Sequence, residues 1–120
     1  MSQTNVFLIP DLIPADNVIK DSRCVVIDVL RATTTIVNAL GNQAASITPV
    51  ITVEDAREVA AGTGSLLGGE RDCIRLEGFD FGNSPAEYTQ NLVADKEITL
   101  TTTNGTRALM ACLGADQILI

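Results

Sequence analysis

The chain contains no histidine and no tryptophan among its 120 residues. The absence of histidine excludes serine–histidine–aspartate and cysteine–histidine nucleophilic systems, phosphohistidine chemistry and histidine-ligated metals. If the protein is an enzyme, its acid, base or nucleophile must therefore come mainly from Asp, Glu, Lys, Cys or a metal-bound water.

Positive charge is also scarce, because 8 Lys and Arg residues face 15 Asp and Glu residues and leave a net charge of −7. Binding to a phosphate backbone needs clustered cations, so this balance argues against nucleic acid as a partner. Arg31, Arg71 and Arg107 each lie within a glycine- or threonine-rich stretch rather than on an obvious solvated helix face. Their placement indicates local binding of a small anion.

Long apolar runs and a basic N-terminal targeting segment are missing too, so we expect no membrane association and a cytoplasmic location. The three cysteines are odd in number and lack short metal-type spacing, which argues against a disulfide scaffold and a zinc site. Cys24 and Cys112 lie on apolar runs, where we expect small buried side chains, whereas Cys73 lies in a polar stretch.

Aromatic residues make up only 3% of a chain that is 46% hydrophobic, which predicts a core of Val, Ile, Leu and Ala. Short apolar runs alternate with helical patterns, and this predicts one α/β domain over residues 1–120. We expect a three-layer α/β/α arrangement with a mostly parallel or mixed sheet. The predicted strands are 6–9, 24–30, 47–52, 65–67, 97–101 and 117–120. The predicted helices are 15–19, 33–40, 54–61, one starting at Ser84-Pro85, and 106–113.

The last three residues, Ile118-Leu119-Ile120, form an apolar run that reads as the opening of a buried strand. A complete domain rarely stops there, so we expect the chain to be the N-terminal part of a longer protein. An unfinished sheet edge would favour pairing with another chain, as in a homo-oligomer.

The stretch from Asp28 to Thr35 joins an apolar strand to a helix. Ligands of parallel sheets bind beyond the carboxyl ends of strands, and helix starts offer unpaired N–H groups to a phosphate or sulfonate. Arg31 could add a forked donor, Thr33 and Thr34 could add hydroxyls, and Asp28 could bind a metal or attack phosphorus. A plainer alternative has Thr33 capping the helix and Asp28 pairing with Arg31.

A second strand-to-helix junction runs from Leu100 to Arg107. Its Asn104-Gly105 turn tolerates positive φ, so that consecutive amides can converge on an anion, with Thr106 and Arg107 in the following helical turn. An ordinary Asn-Gly turn is the alternative. Two similar junctions in one short chain favour a shared site at one sheet margin.

The third stretch runs from Gly68-Gly69-Glu70-Arg71 to Gly78-Phe79-Asp80-Phe81-Gly82-Asn83-Ser84-Pro85. Carboxylates such as Glu70 and Asp80 on glycine-rich backbone suit a hard cation that keeps several waters. The plain alternative is that each is a solvated loop carboxylate. Neither a Walker A motif nor a dinucleotide-binding fingerprint occurs.

Taken together, these stretches closely resemble the signature motifs of the 2-phosphosulfolactate phosphatase family. They are Val25 to Thr35, Gly69-Glu70-Arg71, Gly78 to Pro85, and Thr102 to Thr106. The resemblance implies a magnesium-dependent phosphatase that converts 2-phospho-3-sulfolactate to 3-sulfolactate and phosphate, a step associated with coenzyme M biosynthesis. It also implies a chain about twice this length.

On this resemblance, Asp28, Arg31 and Glu70 are the expected catalytic residues, and Asp28, Glu70 and Asp80 the expected magnesium ligands. The expected substrate-binding residues are Thr33, Thr34, Arg71, Asn83, Asn104, Gly105, Thr106 and Arg107. Haloacid-dehalogenase phosphatases need a second aspartate two residues after the first, but that position is Leu30 here. Two alternatives stay open, namely a non-catalytic anion-binding fragment and a phosphatase for another small phosphorylated hydroxy acid.

Overall fold

A computed structural model describes residues 3–14 and 19–120. Six strands and four α-helices lie in these ranges, together with 3-10 turns at Pro10–Leu12 and Pro85–Glu87. The strands are β1 (Arg23–Val25), β2 (Ser46–Pro49), β3 (Leu66–Arg71), β4 (Ile74–Arg75), β5 (Glu97–Thr101) and β6 (Gln117–Leu119). The helices are α1 (Ala32–Gly41), α2 (Val53–Thr63), α3 (Gln90–Val93) and α4 (Gly105–Ala111).

The main sheet has four strands in the order β2-β5-β3-β4. Strands β2, β5 and β3 run parallel, with Ile47, Ile98 and Leu66 in register, and β4 pairs with β3 in the antiparallel direction. The predicted mixed, mostly parallel sheet is therefore confirmed.

Helices cover both faces of this sheet because successive strand residues point to opposite sides. Leu66 and Ile98 pack with Ala39 of α1 on one face. Leu67, the next residue of β3, packs with Ala56 of α2 on the other. This arrangement confirms the three-layer α/β/α class.

A second sheet has only two strands, β1 and β6, which run parallel with Cys24 opposite Ile118 and Val25 opposite Leu119. The amide of Val26 extends the pairing by donating to the carbonyl of Leu119 at 2.8 Å. The predicted strand over 24–30 is thus shorter than expected, and the residues after Val25 lead to α1 as irregular backbone.

The prediction of a strand at 6–9 is wrong. Val6 and Leu8 are more than four-fifths exposed, and the first regular element is the 3-10 turn after Ile9. β-branched composition alone cannot form a strand without a neighbour to pair with, and none of the described residues pairs with this segment. Most of the helix predicted over 15–19 lies outside the described residues.

Glycine positions explain two further corrections. Gly62 does not end α2, because the left-handed residue that follows the helix is Gly64, at φ 76°. Gly68 and Gly69 belong to β3 rather than to a loop after it. At eleven residues α2 is the longest described helix, and none in the described ranges is long and apolar enough to span a membrane.

Candidate active-site cleft

A cleft of about 240 Å³ opens at the carboxyl ends of β3 and β5, where the segment between β1 and α1 crosses them. Ligands of parallel sheets bind at this edge. The cleft is lined by Asp28, Leu30, Arg31, Glu70, Asp72, Cys73, Asn83, Thr103 and Asn104. Five of the residues singled out from the sequence therefore lie around one space: Asp28, Arg31, Glu70, Asn83 and Asn104.

Glu70, only 6% exposed, joins two walls of this cleft. Its Oε1 accepts from the Thr103 amide at 2.7 Å, and its Oε2 accepts from the Thr103 hydroxyl at 3.1 Å and the Cys73 amide at 2.8 Å. Burial alone would raise the pKa of Glu70, but these hydrogen bonds and the nearby Arg71 charge outweigh it and lower the pKa. Glu70 is thus a carboxylate at neutral pH and is poorly suited to donate a proton.

Asp28 lies where the two threonine-bearing junctions meet. A Cβ added to Gly105, the first residue of α4, would overlap the Cβ of Ala32 in α1 and lie 2.7 Å from Oδ2 of Asp28. Only a residue without a side chain allows this approach. The glycine therefore lets the start of α4 close against the Asp28 carboxylate.

Asn83 is 6% exposed, and its Oδ1 is a buried oxygen without a hydrogen-bond partner among the described residues. A buried acceptor left unpaired costs about 1–3 kcal/mol, so such atoms in native proteins call for an explanation. The backbone of the same residue is held firmly, because its carbonyl accepts from the Thr35 hydroxyl at 2.9 Å. Asn83 thus lines the cleft with a fixed backbone, while its unpaired side-chain oxygen is buried.

The hydroxyls of Thr33, Thr34 and Thr106 form hydrogen bonds within the two junctions. Thr33 Oγ1 donates to the Asp28 carbonyl at 2.8 Å and accepts from the Asp28 amide at 3.0 Å. Thr34 Oγ1 donates to the Val29 carbonyl, and the buried Thr106 hydroxyl bonds within the turn that starts at Thr102. None of these three threonines lines the cleft.

Two of the three arginines also lie elsewhere. Arg71 donates to the Ile51 carbonyl and the Thr101 hydroxyl, each at 2.8 Å, and so ties β3 to neighbouring backbone. Arg107 pairs with Asp11 at 3.0 Å on the surface. Arg31 is therefore the one arginine among the residues that line the cleft, and no ion pair joins it to Asp28 in the described ranges.

Asp80 is separated from the other proposed magnesium ligands. Its Oδ2 accepts from the amide of Leu67, three residues before Glu70 on β3. Three residues of strand span about 10 Å, so Asp80 lies near the opposite end of β3. The sequence placed Glu70 and Asp80 on glycine-rich backbone, and the strand character of Gly68–Arg71 is what sets these two carboxylates apart.

Asp72, Cys73 and Thr103 also line the cleft but were not singled out from the sequence. Asp72 and Cys73 both have positive φ, at 52° and 64°, and form the tight turn between β3 and β4. That turn lacks the usual Asn-Gly signal, so it was not predicted from the sequence. Thr103 lies within the second strand-to-helix junction but was not among the predicted site residues.

The cleft carries three carboxylates, Asp28, Glu70 and Asp72, against the guanidinium of Arg31. Among the described residues no group of three or more Asp, Glu or Cys side chains is arranged to hold a metal on its own. Magnesium commonly binds through one or two carboxylates, with waters and substrate phosphate completing its shell. The Asp28 carboxylate, which lines the cleft, fits that kind of partial site.

Comparison with known proteins gives a family match over nearly the whole chain. The model of the family described as 2-phosphosulpholactate phosphatase matches residues 7–120. This range contains every residue that lines the cleft.

Curated relatives agree with the family match. A probable 2-phosphosulfolactate phosphatase of Clostridium novyi (strain NT) is 49% identical over 104 residues, which cover 85% of this chain and 44% of that protein. Proteins with the same name from Clostridium acetobutylicum and Clostridium perfringens (strain 13 / Type A) are 46% and 44% identical, over 91% and 97% of this chain and 49% of each relative. The chain therefore spans about half the length of the curated relatives it matches.

Proposed function

This chain belongs to the 2-phosphosulpholactate phosphatase family, and we propose that it is the N-terminal part of an enzyme that hydrolyses 2-phospho-3-sulfolactate to 3-sulfolactate and phosphate. The observation that carries the proposal is the meeting of Asp28, Arg31 and Asn104 in one cleft at the carboxyl end of a parallel sheet. A phosphatase needs a carboxylate or an activated water beside a donor for the phosphoryl oxygens, and this cleft can provide both.

Charge supports a requirement for magnesium in this proposal. The substrate carries phosphate, sulfonate and carboxylate groups, whereas the cleft has three carboxylates and one arginine. Bound Mg²⁺ would offset charge on the phosphoryl group and lower the pKa of a water. Asp28 is the candidate magnesium ligand among the cleft carboxylates.

The remaining residues have distinct proposed roles. Arg31, the residue before α1, donates to the phosphoryl oxygens, and Asn104, the residue before α4, orients the substrate. Glu70 fixes the Thr103 turn and the Cys73 turn through its three hydrogen bonds. Asp28 acts either as nucleophile or as magnesium ligand, and both roles need its negative charge.

The test is phosphate release from 2-phospho-3-sulfolactate with and without Mg²⁺. It would be run with this chain and with a version extended by the part of the Clostridium novyi relative that the chain does not match. We expect Asp28→Asn to lower turnover of the active version by at least about 100-fold, as removal of one charged transition-state contact commonly does. Asp116→Asn, an exposed residue before β6, is the matched control. Near-normal turnover of Asp28→Asn would remove that carboxylate from the chemistry.

The chain's span of about half its relatives' length favours one rival, a fragment that binds anions without catalysis. Phosphate release by the extended version but not by this chain, with both binding 3-sulfolactate, would support the rival for the chain alone. A panel of other phosphorylated hydroxy acids tests substrate choice. We place the enzyme in the cytoplasm, and its step within coenzyme M biosynthesis, as parts of the same proposal.

A further inference from the structure

The two-stranded sheet of β1 and β6, which we call the open sheet, exposes apolar side chains on its outer face. Val25 is 62% exposed and Leu119, its partner in register, is 45% exposed. The inner face is covered, since Val26, just beyond β1, is 5% exposed and Cys112 packs behind Cys24. One side of the open sheet thus belongs to the core and the other lacks a cover.

Parallel strands seldom leave one face of their sheet uncovered. Parallel sheets are usually buried on both faces, and two strands alone are only marginally stable in water. Among the described residues β1 and β6 pair only with each other, so the outer edge of each strand presents unpaired N–H and C=O groups. The open sheet therefore has both apolar side chains and backbone groups that a further strand could satisfy.

The exposed surface continues from the open sheet in two directions. Towards the cleft, Ile27, Val29 and Leu30 are each at least 64% exposed, and Leu30 lines the cleft beside Asp28. Towards α1, a groove of about 360 Å³ lies between Val37 and Ile120. Large exposed apolar side chains, such as those at 25, 27, 29, 30 and 119, commonly mark an interaction site.

We propose that the open sheet is a docking surface for the polypeptide that forms the remaining half of the chain in this family. The curated relatives match this chain over only 44–49% of their own length. Each relative therefore has a further segment of comparable size that this chain does not match. It adds at least one strand to an edge of β1 or β6 and covers Val25 and Leu119.

The negative charge of the cleft and of the whole chain indicates which side chains the docking segment carries. The open sheet leads directly to a cleft in which Arg31 faces three carboxylates, and the whole chain carries a net charge of −7. A segment that docks here reaches the rim of the cleft through the surface at 27–30. We infer that it brings Lys or Arg side chains to that rim. This inference does not depend on the identity of the substrate.

The experiment co-expresses the 120-residue chain, carrying an affinity tag, with the unmatched part of the Clostridium novyi relative. We expect a one-to-one complex by light scattering, and at least tenfold weaker binding for the Val25→Asp/Leu119→Asp variant. Ile74→Asp is the matched control, because Ile74 is 71% exposed and lies on β4 of the main sheet. Undiminished binding by the double variant would overturn the proposal.

A fused version covers the case in which the second half does not fold separately. Hydrogen exchange at the amides of Val25 and Ile118, which face away from the β1–β6 pairing, should slow at least tenfold when the relative's segment follows Ile120. Unchanged exchange at these amides would refute docking on the open sheet. A homodimer of the chain alone that is lost in the double variant would instead assign the surface to a second copy. Because the readouts are binding and exchange, a failure here is distinct from a failure of phosphatase activity.

Discussion

The main sheet and the open sheet are both built from short strands, yet their surroundings differ completely. Ile98 in β5 is fully buried between parallel neighbours, while Val25 in β1 is 62% exposed. The main sheet gains two covered faces because α2, which connects β2 to β3, packs on one side and α1, which leads from β1 to β2, packs on the other. The open sheet joins two distant parts of the chain and has a cover on one side only.

The side chains that stabilise the fold and those that line the cleft therefore lie in different parts of this chain. Side chains that hold the fold concentrate in the main sheet, whereas the cleft lies where the main sheet meets the segment leading out of the open sheet. Asp28 follows β1 and Glu70 lies in β3, so the candidate site needs both sheets to keep their relative position. Four substitutions test how the two regions contribute.

The largest expected loss of stability is for a buried residue of the main sheet. Ile98→Ala should lower the free energy of unfolding by about 3–4 kcal/mol, because it removes a buried side chain and leaves a cavity. Val25→Ala in the open sheet should cost no more than about 0.5 kcal/mol, since most of that side chain is already in water. Urea denaturation of both variants measures the contrast. Equal losses would mean that the open sheet has a cover in solution.

Glu70→Gln should cost about 2–3 kcal/mol at pH 7, because a charged acceptor of three hydrogen bonds becomes a neutral amide. The pKa of Glu70 is lower in the folded state than its ordinary 4.5, so the unfolded chain binds the proton more tightly. Its stabilising contribution is therefore full above pH 4.5 and lost as the pH falls through the lowered pKa.

Acid denaturation followed by circular dichroism compares the two proteins across this pH window. The gap in stability between wild type and Glu70→Gln should be widest near neutral pH and close at low pH. A gap that is independent of pH would show that the carboxylate charge contributes nothing.

Gly105→Ala should cost about 1–3 kcal/mol, the usual range for overpacking, because the new methyl group would overlap the Cβ of Ala32. Gly62→Ala is the matched control within α2, where an added Cβ meets nothing within 4 Å. There we expect a gain of about 0.5–1 kcal/mol from helix propensity. Thermal unfolding of both variants gives the comparison, and equal shifts would contradict close packing of α4 against α1.

The smallest effect belongs to Arg107→Ala, which removes a surface ion pair with Asp11. Both side chains are about half exposed or more, so the expected loss is about 0.2–1 kcal/mol and should shrink further in 1 M salt. Urea denaturation at low and high salt measures it. A loss of several kcal/mol would indicate a role beyond this exposed contact.

Sequence patterns predicted the strand at Glu97–Thr101 and the helix around 33–40 well, because each has a strong local signal. Val25 to Leu30 was harder, since a run of apolar residues reads as one long strand whether or not neighbours exist along its length. Asp28, Arg31, Glu70, Asn83 and Asn104 were chosen from motifs and lie around the cleft. The roles proposed for them stay predictions.

By itself, the sequence determined the alternation of strands and helices over most of the chain, because this depends on residues close together in the sequence. Tertiary structure alone decided which polar groups remain free to meet a ligand. Arg71 and Asp80 carry groups as suitable as those of Arg31 and Asp28, but hydrogen bonds to backbone groups elsewhere in the chain already engage them. Such competition between internal partners and a ligand depends on distances between remote residues, which no local pattern contains.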